Sequence, residues 1–169
     1  MKTSIIYASH TGTTHRIAEQ LHEACGGELF EVNARDLLSR VIGFMARHSP
    51  GMQVRESGTM PETIDVSGSG LIVIGTPVWG GKPVPSIRKA VERLQGCKGK
   101  TAILFATCGE NPGKTLQVLA ADLEAKGMTI AGQISLNKKE IEEGPAVSDL
   151  IAKVSAAGEC TGHGTGTRV

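Results

Sequence analysis

The 169-residue chain is one domain in length, long enough to bury a sizeable core. Its 18 lysines and arginines against 17 acids leave a formal charge of +1, so no overall field recruits nucleic acid or a membrane surface. Apolar residues make up 40%, which argues against disorder, and no apolar run nears the roughly 20 residues of a bilayer span.

The start, Met1-Lys2 before Ile5-Ile6-Tyr7-Ala8, has too short an apolar stretch for a signal peptide and runs into the polar segment His10-Thr11-Gly12-Thr13-Thr14-His15-Arg16. Residues 5–8 are apolar throughout rather than alternating, as are 71–74 and 102–106. Strands buried on both faces of a parallel sheet read this way. Residues 29–32 suggest an edge strand, and 128–134 a further strand interrupted by Gly132 and Gln133. Helical spacing joins Ile17, Ala18, Leu21, Ala24 and Cys25, with Gly26-Gly27 as the stop. Three more helices follow: one on Val84, Ile87, Val91 and Leu94, one on Leu116, Leu119, Ala120 and Leu123, and one on Val147, Leu150, Ile151 and Val154. Strands alternating with such helices predict a doubly wound α/β sheet.

Residues 36–47 also have helical spacing, whereas 48–70, rich in Ser, Gly, Pro and Thr, read as a long irregular connection. The domain is expected over 1–157, with 158–169 a disordered tail lacking apolar periodicity. Cys160 and His163 in that tail are two ligands without a frame, so no metal site is expected. The four cysteines (25, 97, 108 and 160) lack CxxC spacing, which points to free thiols in a reducing, cytoplasmic setting.

In an open parallel sheet, ligands bind beyond the carboxyl ends of the strands. Three segments follow the buried strands there. Ser9-His10-Thr11-Gly12-Thr13-Thr14 is dense in hydroxyls and opens into a helix, whose N–H groups and dipole favour an anion. The plainer reading is that Thr11 or Thr13 caps that helix. Capping accounts for one hydroxyl of four. Pro77-Val78-Trp79-Gly80-Gly81 carries the single tryptophan, placed either to stack on a planar ligand or to cover the sheet end. The third segment is Thr107-Cys108-Gly109-Glu110-Asn111-Pro112-Gly113, in which Cys108 reads as a small packing residue.

The first of these segments resembles the phosphate loop of the flavodoxin family. Leu71 to Pro85, through Gly75-Thr76-Pro77-Val78-Trp79-Gly80-Gly81, resembles that family's flavin-contacting loop. The resemblance implies a flavodoxin-like, three-layer, five-stranded parallel sheet of order 2-1-3-4-5 and non-covalently bound FMN. It implies that Ser9, Thr11, Gly12, Thr13 and Thr14 bind the phosphate. Pro77, Val78, Trp79 and Gly80 would flank the ring, with Thr107, Cys108 and Gly109 opposite, and His10 and Gly81 are counted with them as cofactor-binding. It also implies a peptide near Gly80 that reorients toward a flavin nitrogen.

Two departures stand out: no third-loop tyrosine between Thr107 and Gly113 to cover the second ring face, and a near-neutral charge where the family is usually acidic. Cys108 and Asn111 are candidates for covering that face. None of these loops forces a cation beside the ring, although Lys82 is near in sequence, so a low reduction potential is expected.

The expected function is therefore a low-potential carrier of single electrons between transient redox partner proteins rather than a turnover enzyme. An FMN-dependent NAD(P)H oxidoreductase of the quinone-reductase kind is the alternative within the fold. A flavin-free interaction module is more remote. A nucleotide hydrolase built on Gly109-Glu110-Asn111-Pro112-Gly113-Lys114-Thr115 is disfavoured, because three residues rather than four separate its glycines. A phospho-acceptor receiver lacks its strand-end carboxylate.

Overall fold

A computed structural model describes residues 1–32 and 63–159. The helix expected over 36–47 and most of the expected tail therefore lie outside the described residues.

The chain alternates strand and helix. Strand β1 (Thr3–Tyr7) leads to α1 (Thr13–Cys25) and β2 (Glu28–Glu31). After β3 (Ile64–Asp65) come β4 (Leu71–Trp79), β5 (Lys82–Pro83), α2 (Pro85–Glu92) and β6 (Leu94–Gln95). Strand β7 (Thr101–Cys108), α3 (Thr115–Ala125), β8 (Thr129–Asn137), α4 (Lys138–Glu143) and α5 (Pro145–Glu159) complete it. The long strands pair in parallel in the order β2-β1-β4-β7-β8. Counting those five alone, this is the expected order 2-1-3-4-5, with residues 28–31 at one edge.

The uninterrupted apolar runs have a direct structural cause. Successive side chains of a strand point to opposite faces, and both faces here are covered. Ile6, Ile72, Ile74, Ala102 and Leu104 pack with Ile87 and Val91 of α2 and Leu119 and Leu123 of α3. The intervening Ile5, Tyr7, Leu71, Val73, Ile103 and Phe105 pack with Ile17 and Leu21 of α1 and Leu150 and Val154 of α5. Three layers result. No helix among the described residues is long and apolar enough to cross a membrane.

Several boundaries differ from the sequence reading. Strand β4 runs on through Pro77 to Trp79, because beyond Gly75 it has outrun β1 and a residue lacking an N–H is tolerated there. It then turns back through Gly80 (φ 56°) and Gly81 (φ 71°) so that Trp79 pairs with Lys82 of β5. Positive φ at both central residues is the two-residue hairpin turn whose twist matches the flanking strands. Strand β8 passes through Gly132 and Gln133 by bulging: Ala102 faces Ile130 while Ile103 faces Gly132. The connection read as irregular over 48–70 contains a short strand, since Ile64–Asp65 pairs in parallel with Leu94–Gln95.

Gly75 lies in register with Phe105, and a Cβ there would stand 2.3 Å from the Phe105 ring. Gly75→Ala is expected to destabilise the fold by about 1–3 kcal/mol in urea unfolding. Gly68→Ala, where nothing lies within 4 Å, should stay within about 0.5 kcal/mol of the parent.

Candidate functional site

A cleft of ≈ 530 Å³ opens at the carboxyl ends of β4 and β7. The start of α1 forms one wall, residues 77–79 and 107–109 form others, and α4 closes a further side. His10, Thr11, Gly12, Thr13, Pro77, Val78, Trp79, Thr107, Cys108 and Gly109 all line it. Ser9, Thr14, Gly80 and Gly81 do not.

The start of α1 is built so that its first N–H groups stay open. Gly12 occupies the N-cap with φ 85°, a left-handed conformation that glycine alone adopts without strain, and no side chain caps the helix from there. Neither Thr11 nor Thr13 is the cap; their hydroxyls lie 3.4 Å apart on the exposed side. Ser9 Oγ instead accepts the His15 N–H at 3.3 Å. Thr14 is buried, its Oγ1 2.7 Å from Thr107 Oγ1 at the end of β7. Two of the four hydroxyls thus hold the turn in shape. The other two lie on the exposed side, and the N–H groups of Thr11, Gly12, Thr13 and Thr14 have no hydrogen-bond partner among the described residues.

Trp79 ends β4 with 49% of its surface exposed, and His10 meets it edge-on with ring centres 4.6 Å apart. Pinned on that side, the indole presents flat apolar surface to solvent where the cleft opens. The Gly80 end of the hairpin has open space around it, whereas the Gly81 carbonyl is fixed by the Lys114 N–H at 2.9 Å. Gly113 packs directly on Gly81, so close that a Cβ on Gly113 would lie 2.5 Å from Gly81 Cα. The 109–115 segment is therefore shut against the hairpin. Asn111 turns onto its own loop, accepting the Gly113 N–H at 2.8 Å, and does not reach the cleft wall. Of the two side chains considered for the uncovered side, Cys108 alone lines it.

Sequence reasoning missed Arg16, Lys138, Ile141 and Glu142. Arg16 follows Thr13 by three residues, so one helical turn returns it to the same side. The other three come from α4, whose run Lys-Lys-Glu-Ile-Glu-Glu has no apolar period. Its start is nonetheless written in the spacing Asn137-x-x-Glu140. Asn137 Oδ1 accepts the Glu140 N–H at 3.0 Å, and Glu140 Oε2 accepts the Asn137 N–H at 2.8 Å. Two cations therefore reach a cleft that the three loops alone leave uncharged. Lys138 is loosely paired with Glu142 at 3.9 Å; Arg16 makes no ion pair among the described residues.

Burial pushes the Cys108 thiol above its ordinary value, and the Glu140 carboxylate adds to the shift. Cys97, off the cleft, is likewise raised by burial, and Cys25 sits 3.3 Å from Ser155 Oγ. Cys25, Cys97 and Cys108 are free thiols. No group of three His, Cys, Asp or Glu side chains among the described residues can hold a metal ion.

Known proteins share this architecture at low sequence identity. A flavodoxin described as WrbA-like from Agrobacterium tumefaciens superposes with a TM-score of 0.66 at 18% identity, covering 94% of this chain and 98% of its own. A provisionally described flavoprotein from Bacteroides eggerthii reaches 0.58 at 27% identity, over 89% and 98%. A Lactobacillus acidophilus flavoprotein solved in complex with FMN reaches 0.55 at 21% identity, over 84% and 97%. No family model and no curated protein matches the chain. The fold is flavodoxin-like.

Because its thiol is held protonated, Cys108 should be alkylated at pH 8 more slowly than free cysteine, as followed by mass spectrometry. Glu140→Gln keeps the capping geometry while removing the charge, so the Cys108 rate should rise in that variant. A rate above that of free cysteine in the parent protein would contradict this assignment.

Proposed function

We propose that the chain is an FMN-binding electron carrier that passes single electrons between transient protein partners in the cytoplasm. The observation that carries this reading is one cleft joining an uncapped helix start to a half-exposed indole.

The residues fit a phosphorylated flavin. Open N–H groups, two outward hydroxyls and the helix dipole form a donor set for a phosphate rather than for a carbonyl or a metal. A Cβ at Gly12 would meet nothing within 4 Å, so the turn leaves room for an oxyanion. The cleft volume falls within the about 300–1,000 Å³ usual for cofactor sites. FMN, when bound, supplies the electron-accepting ring.

The protein's own groups do the holding and the tuning. Thr11, Thr13 and the backbone from 11 to 14 would hold the phosphate. Arg16 and Lys138 add attraction that salt weakens. Pro77, Val78 and Trp79 exclude water on one side; Cys108, Gly109 and Ile141 give the remaining apolar wall. The cations on the cleft belong to α1 and α4, and none to residues 77–79 or 107–109. Residues 77–79 and 107–109 would offer a bound flavin no cation from either segment, which favours a low potential.

A second reading, an FMN-dependent NAD(P)H oxidoreductase, is favoured by one observation. No aromatic from the third loop reaches the cleft, which leaves a side open to a second substrate.

Protein produced with FMN supplied should be yellow and release FMN rather than FAD on denaturation. Colourless protein would support a flavin-free module. FMN added to the apoprotein should quench Trp79 emission, and Trp79→Ala should weaken binding roughly threefold to tenfold. Rapid NAD(P)H oxidation with a quinone present would favour the oxidoreductase over the carrier.

A further inference from the structure

Helix α4 forms one side of the cleft yet is held there by very little. Its six residues, Lys138–Glu143, bury no side chain. Lys138 pairs with Glu142 at 3.9 Å and Lys139 with Glu143 at 3.7 Å, while Glu140 is engaged by the Asn137 cap. Among the described residues, no α4 side chain forms a hydrogen bond or ion pair beyond 137–143. The apolar anchor of the helix is Ile141, half-buried against the core layer shared by α1 and α5.

A second hollow, of ≈ 470 Å³, lies between α1 and α5 and is lined by Glu23, Ala24, Val147 and Ile151 together with Ile141 and Gly144. Ile141 is the residue that it shares with the cleft, where Lys138 and Glu142 stand on the same helical face. Helix α4 therefore stands between two hollows, with space for Ile141 to shift toward either. The elements on both ends of it are firmly placed. Strand β8 pairs with β7 as far as Asn137, which faces Cys108, and α5 buries Val147, Leu150 and Val154. Movement is left to the two junctions, Asn137 at one end and Gly144 at the other, with φ 90° and open space around it. Covers that open and close turn on such element-terminal residues. A short helix with little buried apolar surface is also the low-stability kind of element from which they are drawn.

We propose that α4 is a hinged cover of the cleft, swinging about the line from Asn137 to Gly144, and that Ile141 is the positioning residue it lays over a bound flavin. The ligand in this proposal rests on the FMN reading of the site, whereas the hinge does not. Because Asn137 lies in register with Cys108, α4 starts beside the third loop, which brings no aromatic side chain to the cleft. Ile141 would supply the missing apolar cover on that side and exclude water from it. Lys138, on the same helical face, would move in with it. A ligand shifts such an equilibrium only through contacts made in the closed state, so the contacts of Ile141 should slow release of the cofactor.

Two measurements on the full chain test this. In the first, amide hydrogen exchange is followed by NMR with and without FMN. Without ligand, the amides of 142–144, which close α4, should exchange on the order of 100-fold faster than those of 150–154 in α5. Equally slow exchange in the two segments overturns the hinge. Saturating FMN should slow exchange at 142–144 by about tenfold or more, as the cover is held shut. Unchanged exchange there, in protein whose residues 11–14 have become protected, overturns the cover. In the second, FMN release on dilution is timed by recovery of Trp79 emission. Ile141→Ala should release FMN roughly threefold to tenfold faster than the parent, and Ile141→Leu should restore the slower rate. Release unchanged in Ile141→Ala overturns the role of that side chain. If FMN did not bind at all, the reading of the site would fail and the cover over it too, while the ligand-free exchange would still decide whether α4 opens.

Discussion

A buried hydroxyl pair, Thr14 against Thr107 at 2.7 Å, ties the first turn of α1 to the end of β7. Without that tie, the helix start and the strand ends would be separate features of the sheet edge. With it, they are two walls of one cleft. The pair is cheap, because each hydroxyl satisfies the other out of water, and leaving one of them without its partner would cost about 1–3 kcal/mol. It also spends Thr14 on structure. Ser9 is spent likewise on the His15 N–H, so the turn is fixed from two sides while Thr11, Thr13 and the leading N–H groups stay available.

The same economy runs through the rest of the cleft. Backbone packed on backbone at Gly81 and Gly113 holds the hairpin against the third loop without a side chain intervening, which leaves Trp79 to project past the sheet. His10 then supports the indole edge-on. Charge enters from the periphery, through Arg16 and Lys138, rather than from the loops themselves. An anion at the start of α1 would thus be met by oriented neutral dipoles, with salt-sensitive cations at the rim.

The fold was legible in the sequence because its physics is local and repetitive. Residues 71–74 and 102–106 are apolar at every position, as a strand covered on both faces requires. Gly26 stops α1 where expected, its N–H returning to the His22 carbonyl at 2.9 Å. The three strand-end segments were visible for the same reason. What escaped detection lacked such repetition. Strand β4 extends through a proline that normally reads as a break, and Ile64–Asp65 is too short to show a period. Helix α4 buries no residue, so hydrophobic spacing gives no sign of it, although its cap is spelled out by Asn137 and Glu140. Arg16 was missed because helical geometry, rather than proximity to the loop in sequence, returns it to the cleft.

The central claim is that the start of α1 grips a phosphate. Equilibrium titration of the apoprotein with FMN and with riboflavin, which differ by that group alone, tests it most directly. Several charge-assisted hydrogen bonds to the phosphate should make FMN bind more tightly by on the order of 100-fold or more at low salt. Equal affinities for the two would contradict the account.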